Sequence, residues 1–161
     1  MRRFFWTTVA IGGALLAETG LGYLVTEPGR YLDPFLLVVV YCALTGGETH
    51  GMLAGMAAGW VQDVHFGGEV LGLSALSKLI VGFAVGAAGS HLLITSTSAR
   101  ALVLLLATVT DAVLVMWLAS VFAIGVSPMN PVTLASRATF TAVVGAVLFA
   151  LIDRRLQRTL P

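Results

Sequence analysis

The sequence predicts an all-α integral membrane protein, a compact bundle of six transmembrane helices of which two are short. Three observations carry this reading. Of the 161 residues, 58% are hydrophobic and 11% charged, and the mean hydropathy is +0.95, which leaves too little polar surface to coat a soluble domain. Four apolar runs, 4–25, 71–93, 100–124 and 132–153, each offer about 20 residues or more, enough to cross a hydrocarbon core of about 30 Å. Arg2 and Arg3 precede the first run and Arg154, Arg155 and Arg158 follow the last. The positive-inside rule then puts both ends in the cytoplasm, which demands an even number of crossings.

Taken in order, the first run resembles a secretory signal at its start. Its apolar stretch continues to Val25, broken only by Glu18, and no small-residue cleavage site follows, so it reads as a retained first helix. The next region, from Pro34 to Val64, is too long for one ordinary span and short for two. A polar patch from Thr45 to His50 divides it into 34–45 and 50–64, with about 16 Å and about 21 Å of apolar helix respectively. The two pieces form either a hairpin or one helix broken inside the membrane, and the even count favours the hairpin. Asp33 offers an N-cap with Pro34 at the first helical position. Gly67 and Gly68 supply a turn before 71–93, Arg100 falls in an inner loop and Arg30 in an outer one. Ser127-Pro128-Met129-Asn130-Pro131 cannot be helical throughout and marks an outer loop; Arg137 stands at the start of the last helix. The loops are short, so residues 1–161 read as one membrane domain.

Gly47, Gly51, Gly55, Gly59, Asp63 and Gly67 fall four residues apart, and residues at that spacing share a helix face. Gly47 and Gly67 belong to turns, so the membrane face consists of Gly51, Gly55 and Gly59. Gly82 and Gly86 make a second pair. In lipid such small-residue faces let another helix backbone approach closely. They are candidate docking surfaces, either for a partner helix or for the bundle's own helices.

Ionisable residues inside a membrane mark function or structure. At about 1.5 Å per residue, Glu18 lies in the outer third of the bilayer, Asp63 ends the third span near the outer boundary, and Lys78 sits about 10 Å below the outer surface. These depths predict that Lys78 pairs with Glu18, Asp63 or both. The alternatives are a snorkelling lysine and an aspartate that ends its own helix at the interface. Asp111 falls near the midplane, beside Thr108 and Thr110, and faces the bundle interior or a polar cavity.

The single cysteine, Cys42, excludes an internal disulfide and reads as a small buried apolar residue. His50, His65 and His91 sit at different helix ends and do not assemble a metal site. No zinc-protease motif, nucleophile elbow or phosphate loop occurs. Neither an enzyme nor a bound cofactor or metal is expected, and nothing in the charge pattern suggests a nucleic acid.

The order Asp33-Pro34, an apolar run to Leu44, Gly51-x-x-x-Gly55-x-x-x-Gly59, Asp63, Gly67-Gly68, Leu71-Gly72-Leu73 and Gly82-x-x-x-Gly86 resembles the rod shape-determining protein MreD family. Lys78 departs from the pattern, as do Glu48 and His50 at the inner turn. The resemblance implies a non-enzymatic scaffold of the bacterial elongation machinery, in the inner membrane, that binds MreC. Through MreC it would meet a penicillin-binding protein, RodA and MreB; self-association is a further expectation. The resemblance also implies a fold like that of the substrate-binding subunits of energy-coupling-factor transporters. The rival function is therefore small-solute binding, in an outer pocket lined by Glu18, Asp63, Lys78 and the loop from Ser127 to Pro131.

Overall fold

The computed structural model describes residues 2–24, 32–66, 71–91, 96–122 and 131–159. They form six helices: α1 (Arg2–Leu24), α2 (Pro34–Gly46), α3 (Glu48–Phe66), α4 (Leu73–His91), α5 (Thr97–Val121) and α6 (Pro131–Thr159). The expected turn at Gly67 and Gly68, Arg30, and the outer-loop residues Ser127 to Asn130 lie outside the described residues.

Local chemistry sets the helix ends. The Asp33 carboxylate accepts the Leu36 N–H at 3.0 Å, with Pro34 at the first helical position, where its missing N–H costs nothing. The α2 helix ends at Gly47, whose φ of +81° is a conformation glycine adopts freely and whose N–H donates to the Ala43 carbonyl at 2.9 Å. A new helix begins at the next residue, and the Gly51 N–H already returns to the Gly47 carbonyl. Ser96 caps α5 by accepting the Ala99 N–H at 3.2 Å.

Contacts with α4 decide between a hairpin and a broken helix. Along α2, Asp33 meets Lys78, Val39 lies beside Gly82, and Leu44 beside Gly89; the two helices run in the same direction. Along α3, Glu48 faces Gly86, Gly51 faces Gly82, Gly55 faces Lys78 and Gly59 faces Ala75, so α3 runs the opposite way. Residues 34–66 are therefore a tight helical hairpin. One expectation needs correction: the third helix is not short. It covers 19 residues, about 28 Å, because Gly47 alone makes the reversal and Glu48, Thr49 and His50 serve as the first turn of α3.

The second helix is short, at 13 residues, and it occupies the middle of the bundle. Phe35, Leu36, Val39 and Val40 on it are all fully buried. Leu36 and Val40 join Val81, Leu104 and Phe149 in one apolar cluster, while Phe35 and Val39 join Ile11, Ala14 and Ala58 in another. A helix that is apolar on every side needs neighbours on every side. The surrounding helices supply them and turn their own apolar residues outward: Leu16, Trp60, Phe83, Trp117 and Phe140 are all exposed. Water would penalise such a surface, whereas lipid tails do not. Segments of α4 (Leu73–Ser90), α5 (Ser98–Val121) and α6 (Pro131–Leu151) are long and apolar enough to cross a membrane, and α1 contributes a shorter apolar stretch, Phe5–Leu21.

Candidate functional site: a buried ion-pair network and a glycine seam

Four helices meet at a closed set of charges. Asp33 Oδ2 accepts from Lys78 Nζ at 2.9 Å and from Arg137 Nη2 at 2.7 Å. Lys78 Nζ also donates to Asp111 Oδ2 at 3.2 Å, and the Ser77 hydroxyl donates to Asp111 Oδ1 at 2.7 Å. The side chains of Lys78 and Asp33 are 1% and 0% exposed. Charges removed from water cost several kcal/mol each unless they are paired and hydrogen-bonded. Here two cations and two carboxylates balance, and α2, α4, α5 and α6 are tied at one point.

This corrects the expected pairing. Lys78 binds Asp33 and Asp111, and neither Glu18 nor Asp63. Depth along a helix can be counted from residue numbers, but the side of the helix on which a residue faces its neighbours depends on packing. Asp33 does more than the capping expected of it, since Oδ1 takes the Leu36 N–H and Oδ2 takes both cations. Asp111 is buried as expected, but its hydroxyl neighbour is Ser77; Thr108 bonds back to the Leu104 carbonyl instead. Arg137, which the sequence places only at the start of the last helix, is also a member of the network. Its signal was present, for an arginine several residues inside an apolar helix needs a partner.

Asp63 has separate work. Its carboxylate accepts the backbone N–H groups of Gly72 at 2.9 Å, Ser74 at 3.2 Å and Ala75 at 3.3 Å. It thus caps the start of α4 from the end of α3, satisfying donors that the helix itself leaves open. Asp63→Ala is expected to lower stability by about 1–2 kcal/mol, and Asp63→Asn by less, as read from thermal unfolding of the purified protein. Glu18 is also buried, at 4% exposure, and its Oε2 has no hydrogen-bond partner among the described residues.

The glycine faces are occupied within the chain. A methyl group added at Gly55 would overlap the Lys78 carbonyl; one at Gly51 would overlap the Gly82 carbonyl, and one at Gly59 would overlap Ala75. From the other side, Gly82 meets Gly51, and Gly86 meets Glu48 and Gly47. All five candidate docking glycines therefore build one α3–α4 seam, backbone against backbone. Of the two occupants left open by the sequence, the seam takes the bundle's own helix.

The family described as rod shape-determining protein MreD matches residues 4–158. The chain belongs to that family. Membership gives this membrane protein a role in rod shape determination. No curated protein and no solved structure matches it. In this MreD-family chain the groove between α3 and α4, of about 380 Å³, is lined by apolar residues such as Met56, Trp60, Leu76 and Leu79. Glu18, Asp63 and Lys78, which the solute-binding reading needs around an outer pocket, do not line it. Lys78 and Asp63 are held by protein groups.

Proposed function

We propose that this MreD-family chain is a non-enzymatic scaffold subunit of the bacterial cell-elongation complex, lying in the cytoplasmic membrane and crossing it six times with both ends in the cytoplasm. It binds the transmembrane helix of MreC and, through MreC, a penicillin-binding protein, RodA and MreB filaments, and so helps to control peptidoglycan synthesis. The observation that carries this reading is the family match over residues 4–158. The physical arrangement supports it: Asp33, Lys78, Asp111 and Arg137 pair with one another, the small residues of the α3–α4 seam close the bundle, and the outer surface is broadly apolar. Such a surface gains nothing from association by the hydrophobic effect alone, so a partner helix must be held by close packing and polar contacts.

Two measurements test the proposal. Gentle purification from membranes of the native host should bring down MreC, a bitopic protein, in stoichiometric amount. Recovery of a bound vitamin without MreC would favour the solute-binding alternative and overturn the scaffold. Topology can be read from cysteines introduced at the helix ends, because Cys42 is the only native cysteine and it is buried. Impermeant thiol reagents applied to intact cells should leave positions near Arg2 and Arg158 unlabelled. Labelling there would place the termini outside.

A further inference from the structure

The carboxyl of Glu18 stands apart from the network beside it. Glu18 lies within electrostatic range of Asp33 on α2, Lys78 on α4 and Arg137 on α6, and Lys78 in turn holds Asp111 on α5. Those four neighbours already neutralise one another through three ion pairs. An ionised Glu18 would add one uncompensated negative charge to the bundle interior. Its Oε2 would share that charge without a hydrogen bond, being buried with no partner among the described residues. Burial of a lone carboxylate in that condition costs far more than burial of the neutral acid.

Packing of α1 adds a second observation. The α1 and α3 helices run in the same direction, and the Thr7 hydroxyl lies 3.0 Å from His50 Nε2. About three turns further along each helix come Glu18 and Gln62. The Gln62 Oε1 is likewise buried with no partner. Arg137 Nε, within electrostatic range of Glu18, is a further buried atom without a partner among the described residues, so the polar groups around the network are incompletely satisfied. A proton on Glu18 converts Oε2 into a donor and removes the surplus charge in one step.

We propose that Glu18 is a buried proton-binding site, its carboxyl held as the neutral acid, and that the bound proton keeps α1 seated on the α2–α3 hairpin. No other ligand is needed, and the atoms balance: the acid releases one proton and becomes a carboxylate. When the proton leaves, the new charge competes with Asp33 for Arg137, and α1 is the helix placed to respond, because the contacts that hold it are mainly with the hairpin.

The test uses the full chain in lipid nanodiscs and the variant Glu18→Gln, an uncharged isostere of the acid. The infrared spectrum of wild type minus Glu18→Gln at neutral pH should contain one protonated-carboxyl stretching band that shifts in deuterated water. The band should vanish as the pH is raised, and amide exchange in α1 should rise over the same range in the wild type but stay flat in Glu18→Gln. Ionised-carboxylate bands in the neutral difference spectrum would overturn the proposal, as would α1 exchange that ignores loss of the proton. Failure of Glu18→Gln to fold would also count against it, since a neutral isostere must be accommodated where a neutral acid is. The wild-type pH titration decides the proton's presence without any variant.

Discussion

Replacing Asp33 with alanine is expected to remove a large share of the stability of this protein. The substitution deletes three interactions at once: the Leu36 cap and the bonds to Lys78 and Arg137. Breaking a buried pair by removing one partner costs about 3–5 kcal/mol, because the surviving charge remains buried; the lost cap adds about 1 kcal/mol. Set against a total stability of about 5–15 kcal/mol, a loss of that size removes between roughly a third and all of it. Thermal unfolding followed by circular dichroism, with size exclusion as a check on folding, measures the effect. The companion variant separates charge from capping. Asp33→Asn keeps an N-cap oxygen yet leaves two cations facing one carboxylate, and adding Arg137→Gln restores neutrality. The double variant should be more stable than Asp33→Asn alone, with a coupling of about 0.5–3 kcal/mol. An unchanged melting temperature for Asp33→Ala would mean that the four charges do not form a closed network.

Gly55→Leu should be comparably severe. The added side chain meets backbone, namely the Lys78 carbonyl group and the Leu79 nitrogen, and backbone within a helix cannot rotate aside. Overpacking against movable side chains costs about 1–3 kcal/mol, so a clash with backbone should reach the top of that range or exceed it. The α3 and α4 helices would have to part, and Lys78 would be drawn away from Asp33 and Asp111. The control is Gly13→Leu on α1, where an added Cβ meets nothing within 4 Å; there the change should stay within about 0.5 kcal/mol. A Gly55→Leu protein that folds normally and loses only MreC would show the seam to be a partner surface instead.

The contrast between those two glycines shows where legibility stopped. Gly13 and Gly55 are both glycines inside apolar helices, and the spacing of Gly51, Gly55 and Gly59 correctly pointed to a face built for backbone contact. What the spacing could not convey was whose backbone would fill it. The same limit applied to the charges. Lys78 and Asp111 were recognisable as intramembrane groups in need of partners, because their cost in lipid is a property of the residue and its depth. Asp33 looked like a cap because Asp-Pro is a helix-start signal, and its second oxygen was invisible to that reasoning. The third helix is longer than its apolar run for a related reason: Glu48, Thr49 and His50 look like a turn by polarity, yet a single glycine at positive φ makes the reversal.

Composition, run length and the arginine distribution by themselves determined an all-helical membrane protein of six helices, and the ordered motifs pointed to its family. Those properties depend on local sums, of transfer energy along a segment and of turn chemistry at its ends, that a linear sequence contains in full. Tertiary structure alone decided that α2 sits at the centre, that Asp33 joins Lys78 and Arg137, that Asp63 caps α4, and that the glycine stripe is closed by α4. Each of these depends on the rotation of one helix about its axis relative to another. That rotation is set by the simultaneous packing of all six helices, and no single segment encodes it.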